Sequence, residues 1–189
     1  MTRIARCSCG SLRAEVSGDP IHVIACHCDD CQRRTGSVFG AGAYYKKEQV
    51  QINGPHKVFV RAAPEKRTVR NHFCPQCGTS LFWEGDIVPG IVGIPAGGFV
   101  DTDFPPPNIS FFEKYKHPWI GFNHELEHFL QRPTYPLFTE TNPYPERGMT
   151  AYGATPSPRC LAAKDSSPTR CSRRVGRPAL AYDFAQIVR

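Results

Sequence analysis

Long hydrophobic runs are missing from this sequence of 189 residues. No apolar run approaches the roughly 18 residues of a membrane-spanning helix, which excludes that class of membrane protein. The first residues, Met-Thr-Arg-Ile-Ala-Arg-Cys, carry charge but lack the apolar stretch of a secretory signal. We therefore expect a soluble, cytoplasmic protein with no membrane partner. In such a reducing compartment, cysteines bind metals more often than they form disulfides.

An excess of charge is also missing from most of the chain. Residues 1–130 hold 14 Lys and Arg against 13 Asp and Glu, whereas residues 131–189 hold 9 against 4. The net charge of +6 therefore lies almost entirely in the C-terminal part. This argues against nucleic-acid binding through bulk charge by the first part of the chain.

The sequence has little sign of long amphipathic helices, and its first 120 or so residues are typical of short β-strands separated by Gly and Pro. A single helical turn is expected at Asp29–Thr35, and a short helix at His124–Leu130 with Asn123 as its N-cap. The fold class is therefore mainly β, with a domain over residues 1–135. Residues 136–189 form a basic tail rich in Pro, Ser and Arg, which we expect to be disordered. The predicted strands are Leu12–Val16, His22–Ala25, Val38–Tyr45, Val50–Ile52, Lys57–Arg61, Thr68–Phe73, Ser80–Trp83 and Ile91–Ile94.

Cysteine is abundant, and seven of the nine cysteines fall into three clusters within the first 77 residues. A C-x-x-C turn such as Cys74–Cys77 aims two sulfurs at one point, and Gly78 can adopt the positive φ that such turns often need. In an extended C-x-C segment the outer residues share a face, so Cys7 and Cys9 can also chelate together. These two pairs predict a closed, four-ligand structural zinc site made of Cys7, Cys9, Cys74 and Cys77.

The middle cluster supplies three sulfurs, from Cys26, Cys28 and Cys31. Three protein ligands leave a fourth position for water or substrate, which is the pattern of catalytic zinc. Arg33 and Arg34 follow directly, and their charges could offset a tris-thiolate zinc centre or hold an anionic substrate. The sequence thus predicts two zinc ions, one structural and one catalytic.

Other interpretations of the cysteines remain open at this point. They could form disulfides, or they could be inert buried residues. A single four-cysteine zinc site could also leave Cys26, Cys28 and Cys31 without metal, as a set of reactive or redox-active thiols.

Three segments together resemble the glutathione-dependent formaldehyde-activating (GFA) family, whose domain type is also found in centromere protein V. They are Cys7-Ser-Cys-Gly-Ser-Leu-Arg, Ala25-Cys-His-Cys-Asp-Asp-Cys-Gln-Arg-Arg-Thr-Gly36 and Phe73-Cys-Pro-Gln-Cys-Gly-Thr-Ser-Leu81. Lys116-His-Pro-Trp119 resembles an element near the end of the family's domain. The resemblance spans roughly residues 3–130.

This resemblance implies a β-tent fold, in which zinc clamps mostly antiparallel sheets. It implies a structural zinc on Cys7, Cys9, Cys74 and Cys77 and a catalytic zinc on Cys26, Cys28 and Cys31. The implied activity is that of a carbon–sulfur lyase acting on S-hydroxymethylglutathione, with glutathione and formaldehyde as partners. Arg33, Arg34 and Lys46 are candidate contacts for the carboxylates of glutathione.

Other motifs compete with this interpretation. His124-Glu-Leu-Glu-His128 matches the H-E-x-x-H motif of zinc proteases, but the candidate helix is short and a third ligand would have to come from the tail, for example Glu140 or Glu146. We expect it to be a closing helix, with Leu126, Phe129 and Leu130 packed inward. His27 should point away from the metal of its neighbouring cysteines and lie beside the site or at the surface. Cys160 and Cys171 are expected to be free thiols.

Two functional hypotheses follow from the sequence. The first is a zinc enzyme of the formaldehyde-activating type that acts on a thiol or on a thiol–aldehyde adduct. The alternative is a non-enzymatic zinc-binding module whose basic tail binds nucleic acid or a protein partner. A partial match to the Gly-Arg-Pro core of minor-groove AT-hooks, at residues 172–178, is the sequence feature behind that alternative.

Overall fold

The computed structural model describes residues 1–63, 66–132 and 137–138. The chain divides into two units, Met1–Arg147 and Gly148–Arg189, and all described residues belong to the first. Within them are eleven strands and one α-helix, which confirms the prediction of a mainly β fold. Almost all of the predicted tail over 136–189, including Cys160, Cys171 and residues 172–178, lies outside the described residues. The domain boundary at residue 135 stays a prediction.

The strands are short and follow one another closely along the chain. The α-helix, α1, spans Asp29–Thr35, and 3-10 helices span Lys47–Gln49, Ala96–Phe99 and Glu113–Tyr115. The strands are β1 Thr2–Arg6, β2 Arg13–Ser17, β3 His22–Cys26, β4 Gly40–Lys46, β5 Val50–Asn53, β6 Lys57–Ala63, β7 Arg67–Phe73, β8 Ser80–Gly85, β9 Ile91–Pro95, β10 Ile109–Phe111 and β11 Glu127–Phe129.

These strands form two sheets. The smaller sheet has the order β1-β2-β5, and the larger has the order β11-β10-β3-β4-β9-β8-β7-β6. All neighbours are antiparallel except β10, which runs parallel to both β3 and β11. The mostly antiparallel arrangement expected from the family resemblance is therefore present.

The main hydrophobic core contains residues from both sheets. Ala14 and Val16 of the smaller sheet join Ala43, Tyr45 and other buried residues of the larger one in this cluster. Alternation along β4 places Ala43 and Tyr45 on the core side and Gly40, Gly42 and Tyr44 on the opposite face. A second, smaller cluster contains Ile24, Ile109, Phe111 and Leu137, with Cys26 and Tyr44 packed against it. The face that carries Gly40, Gly42 and Tyr44 is thus also the face next to Cys26.

All eight predicted strands and the predicted turn of helix at Asp29–Thr35 are present, with ends that differ by up to two residues. The prediction of a helix at His124–Leu130 is wrong, because Glu127–Phe129 forms β11 at the edge of the larger sheet. The Glu127 N–H donates to the Asn108 carbonyl at 2.9 Å, and β11 then pairs with β10. Leu130, which was expected to pack inward, is 71% exposed. No helix in the described part of the chain has the length and apolar character needed to cross a bilayer.

Candidate metal centres

The first candidate centre joins two turns that are distant in sequence. Cys7 and Cys9 lie in the turn between β1 and β2, whereas Cys74 and Cys77 lie in the turn between β7 and β8. The four Sγ atoms all lie within 4.8 Å of one another, so this four-cysteine set could hold one metal ion. Cys7 and Cys74 are buried, and Cys9 and Cys77 are exposed.

The two turns have similar backbone hydrogen bonds, which explains why their sulfurs converge. Cys7 donates to the Leu12 carbonyl at 3.0 Å, and Cys74 donates to the Thr79 carbonyl at 3.0 Å. Each turn closes on a glycine with positive φ, Gly10 at 77° and Gly78 at 73°, a conformation that other residues adopt at a cost. The Leu12 N–H also donates to Cys7 Sγ at 3.3 Å, which favours the thiolate form that a metal requires.

The sulfur spacing of the four-cysteine set fits a tetrahedral zinc ion. Cys7 and Cys9 Sγ are 3.5 Å apart, and Cys9 and Cys74 Sγ are 3.6 Å apart. A zinc–sulfur distance of about 2.3 Å in a tetrahedron requires sulfurs about 3.8 Å apart, whereas a disulfide requires about 2.05 Å. All seven cysteines of the described chain are free, so the disulfide interpretation does not apply to them.

Polar side chains around the four-cysteine set also favour thiolates. Thr79 Oγ1 lies 3.3 Å from Cys77 Sγ and 2.9 Å from Ser8 Oγ. The Thr79 hydroxyl is the main reason that the pKa of Cys77 falls to about 5. Cys77 therefore favours the thiolate form at neutral pH, which is the form that binds a metal.

The second candidate centre lies where β3 ends and α1 begins. Cys26 is the last residue of β3, Cys28 directly precedes α1, and Cys31 lies within it. Acidic residues in the first turn of α1 and basic residues in its last turn complement the helix dipole and stabilise this short helix. The three Sγ atoms lie within 4.8 Å of one another, and Cys26 and Cys28 Sγ are 3.4 Å apart. This three-cysteine set could hold a second ion.

Contacts among the three thiols move their pKa values apart. Hydrogen bonds from Cys26 and Cys31 lower the pKa of Cys28 to about 2. Contact with Cys28 raises the pKa of Cys26. The bond between Cys31 and Cys26 would lower the pKa of Cys31, but the Cys28 thiolate and burial outweigh it and raise this pKa to about 11. Binding of a metal would therefore release protons from Cys26 and Cys31, the thiols whose pKa values are raised.

Two arginines direct their charge toward the three-cysteine set. Arg61 of β6 forms an ion pair with Asp30 at 2.8 Å, and its charge helps to lower the pKa of Cys28. The Arg34 guanidinium carbon lies 4.3 Å from the centre of the Trp83 ring, and its charge helps to lower the pKa of Cys31. Arg33, in contrast, pairs with Asp29 at 3.5 Å and has a 76% exposed side chain. Lys46 lies at the opposite end of β4 from Gly40.

Residues 2–115 match the sequence model of a family described as "glutathione-dependent formaldehyde-activating enzyme". The chain belongs to this GFA family. A crystal structure of a Rhodobacter sphaeroides protein is similar, with 18% sequence identity and a TM-score of 0.42 over 55% of this chain and 91% of that one. The GFA match covers both cysteine sets together with Arg34 and Trp83.

In the sequence His27 lies between Cys26 and Cys28, but it does not belong to the three-cysteine set. It is fully buried rather than at the surface, and its Nε2–H donates to Ser110 Oγ at 3.2 Å. Ser110 in turn donates to Glu113 Oε1 at 2.6 Å. This hydrogen-bonded chain fixes the segment between Cys26 and Cys28 and was missed by sequence reasoning, because nothing near Ser110 or Glu113 in the sequence indicates it.

The H-E-x-x-H segment lies beyond the GFA match and does not form a metal site. His124 Nε2 donates to the Pro107 carbonyl at 2.8 Å, whereas His128 Nδ1 donates to Glu113 Oε1 at 2.8 Å. The two histidines thus have separate partners and no helix aligns them. In the described ranges, groups of at least three potential ligands close enough to share an ion occur at the two cysteine sets. His72 lies in β7 and stacks on Phe82 at 4.0 Å.

Proposed function

We propose that this GFA-family protein is a zinc enzyme that joins a small-molecule thiol, such as glutathione, to formaldehyde or a related aldehyde. The observation that carries the proposal is the unequal number of ligands in the two cysteine sets. Four cysteines can complete a tetrahedron, which suits a structural ion, whereas three half-buried cysteines leave one ligand to come from water or substrate. Membership in the GFA family supports a function of this kind.

The proposed reaction forms one carbon–sulfur bond and requires no oxidant or reductant. The thiol sulfur bonds to the carbonyl carbon, and the thiol proton ends on the carbonyl oxygen, so that the product is an S-hydroxymethyl thioether. Cleavage of the same bond in reverse is a carbon–sulfur lyase reaction. A zinc ion at the three-cysteine set would supply a Lewis acid that favours the substrate thiolate or polarises the aldehyde oxygen.

In this proposal the protein residues divide into two groups. Cys26, Cys28 and Cys31 hold the catalytic zinc, and Cys7, Cys9, Cys74 and Cys77 hold the structural zinc. Three thiolates and Zn²⁺ carry a net charge of −1. Arg61 is paired with Asp30, so the guanidinium of Arg34 is the nearby charge that offsets it. This offset reduces the repulsion that an anionic thiol would meet at the three-cysteine set.

The competing interpretation is a single zinc ion with the three-cysteine set acting as free thiols. The low pKa of Cys28, about 2, would also suit a reactive thiolate. The two interpretations differ in metal content, so Cys28→Ser separates them. Under the proposal, this variant binds one equivalent of zinc instead of two, keeps its β structure and loses activity, because two thiolates hold zinc poorly.

Metal content would be measured by mass spectrometry on protein purified without added zinc. Activity would be measured by NMR as adduct formation from glutathione and formaldehyde above the uncatalysed rate. Cys160→Ser is a matched control, since it makes the same substitution at a cysteine outside both sets. One zinc per wild-type chain, or full activity in Cys28→Ser, would contradict the proposal.

A further inference from the structure

The Arg34 guanidinium lies over an aromatic ring beside the three-cysteine set. Its central carbon is 4.3 Å from the centre of the Trp83 ring, a distance within the range of a cation–π pair. Arg34 belongs to the last turn of α1, and Trp83 belongs to β8. The pair therefore connects the helix that carries Cys31 to the middle of the larger sheet.

The sheet beneath Trp83 is shaped to receive the indole. Trp83 lies opposite Gly93 of β9, which in turn lies opposite Tyr44 of β4. A Cβ atom on Gly93 would come within 2.2 Å of the Trp83 ring, and one on Gly42 would come within 2.7 Å. Tyr44 packs edge-on against the indole with ring centres 5.8 Å apart. The indole is thus held between two glycines below and Arg34 above, which fixes the position of the guanidinium.

The partners of Arg34 differ from those of the other two arginines near the set. Arg33 pairs with Asp29, and Arg61 pairs with Asp30. Within residues 1–63, 66–132 and 137–138, no ion pair joins Arg34 to a carboxylate. A guanidinium that contacts an aromatic ring through its face keeps its N–H groups at the edge available to a carboxylate.

Arg34 is also close to the cysteine that would bind the metal. Arg34 Nη2 and Cys31 Cβ both lie within 3.3 Å of the point that a Cβ atom on Gly40 would occupy. Gly40 therefore leaves room for the guanidinium to reach the three-cysteine set.

We propose that Arg34, held against Trp83, is the residue that binds a carboxylate of the thiol substrate and so determines how strongly the enzyme prefers anionic over neutral thiols. This inference rests on the proposed function, because it assigns a specificity-determining residue to the same site. Arg34 is a binding residue in this scheme, and Trp83 positions it. A carboxylate held there lies beside the set that receives the thiol, and its charge is neutralised.

The test uses the zinc-loaded full-length protein with Trp119→Phe, which leaves Trp83 as the single tryptophan of the two in the chain. Trp119 is 69% exposed, so its replacement should be tolerated. The probes are S-methylglutathione, whose thiol is blocked, and the same compound with both carboxylates esterified. Binding is followed by Trp83 fluorescence and by calorimetry. Zinc content and circular dichroism verify that each variant is folded and loaded.

We expect Arg34→Gln to weaken S-methylglutathione binding about tenfold or more, because a charge-assisted hydrogen bond is lost. Arg34→Lys should recover only part of the affinity, since it keeps the charge but loses the stack and the fork. The matched control, Arg33→Gln on the same helix, should bind within about twofold of the parent protein. The esterified probe should bind weakly to all variants, with little dependence on Arg34.

Equal S-methylglutathione affinity in the parent protein and Arg34→Gln, or no measurable binding of this probe to the parent, would overturn the inference. Steady-state kinetics give a second test, in which Arg34→Gln should raise KM for glutathione with little change in kcat. If adduct formation is absent but S-methylglutathione binding depends on Arg34, the proposed function fails and the carboxylate site stands. If activity is present and neither Kd nor KM depends on Arg34, the proposed function stands and the carboxylate site fails.

Discussion

Glu113 collects three hydrogen bonds at one carboxylate oxygen. Ser110 donates at 2.6 Å, His128 at 2.8 Å and Lys116 at 3.0 Å. Burial acts to raise the pKa of Glu113, but these donors outweigh it and lower the pKa to about 2. Through Ser110 the carboxylate also orients His27, which lies between two cysteines of the three-cysteine set. Glu113 therefore links the end of the described domain to the site.

The low pKa of Glu113 predicts a pH dependence of stability. Because the folded-state pKa is below its ordinary value of 4.5, the carboxylate stabilises the fold fully above about pH 4.5. This stability is lost as the pH falls toward about 2. Glu113→Gln should lower the free energy of unfolding by about 1–2 kcal/mol at neutral pH, since the donors lose a charged acceptor.

Urea unfolding, from pH 7 down to the lowest pH at which zinc analysis finds the metal retained, would measure this effect. The difference in the free energy of unfolding between wild type and Glu113→Gln should shrink as the pH falls from about 4.5 toward about 2. The exposed Glu125 provides a control, and Glu125→Gln should leave the profile unchanged. If the free energies of unfolding of Glu113→Gln and wild type differ by the same amount at every pH, the pH dependence does not come from Glu113.

At the scale of the elements, the position of Trp83 depends on three neighbouring strands. Gly93→Ala would place a methyl group 2.2 Å from the Trp83 ring, so the indole or the strand must move. We expect the free energy of unfolding to fall by about 1–3 kcal/mol, as at other overpacked sites, and the fluorescence of Trp83 to change. Gly85→Ala in β8 is the matched control, because its nearest neighbour would be 3.7 Å away.

A double-mutant cycle would show whether the indole causes this loss. In a Trp83→Ala background, Gly93→Ala should change the free energy of unfolding little, since the clashing ring is gone and alanine suits a strand better than glycine. Thermal or urea unfolding measures each of the four proteins. An equal cost of Gly93→Ala with and without the indole would show that the strand itself, rather than Trp83, requires glycine.

The strands that sequence reasoning found and missed differ in their local signals. The eight predicted strands are rich in Val, Ile, Phe and Tyr and are bounded by Gly or Pro. β1 has only Ile4 and Ala5 as apolar residues, and β10 is three residues long and follows three prolines. β11 has a sequence suited to a short helix, but pairing with β10 outweighs that propensity. Local sequence thus indicated the strands with strong patterns and failed where a neighbouring strand decides the structure.

The two cysteine sets were predictable for a related reason. Cys26, Cys28 and Cys31 lie within six residues, and each pair of the other set lies within a single turn, so their spacing alone indicates shared ligation. The Arg34–Trp83 pair joins α1 to β8, two residues that are 49 positions apart in the chain with four strands, β4 to β7, between them. Contacts that depend on register between strands leave no trace in local sequence, so this pair needed the structure.

At the scale of the whole described domain, the four-cysteine set connects the first hairpin to a turn near the middle of the described residues. The 64 residues between Cys9 and Cys74 contain β2 to β7 and the entire three-cysteine set. Structural zinc contributes about 10–16 kcal/mol in zinc-finger peptides, which is as large as the total stability of about 5–15 kcal/mol of a typical domain. The two sets should therefore differ in their effect on folding.

Cys74→Ser should abolish the folded state, whereas Cys28→Ser should leave it intact. Cys74 is fully buried in the main core and belongs to the set that closes the 64-residue loop. Circular dichroism would show loss of the β spectrum and of the cooperative thermal transition in Cys74→Ser alone. A cooperative transition near the wild-type temperature in Cys74→Ser would show that the core holds the domain without this metal.

Removal of zinc from the wild-type protein with a chelator tests, without a substitution, whether the four-cysteine set and not the three-cysteine set holds the fold. The three-cysteine set offers fewer ligands, so it should release its zinc at lower chelator concentration, with activity lost and the β spectrum retained. Release of the second zinc should coincide with unfolding, because the four-cysteine set joins segments that are otherwise far apart in sequence. Unfolding in step with the first zinc released would mean that the three-cysteine set, instead of the four-cysteine set, holds the fold. Because the two releases are separate steps in one titration, the roles of both sets are decided by the order in which activity and structure disappear.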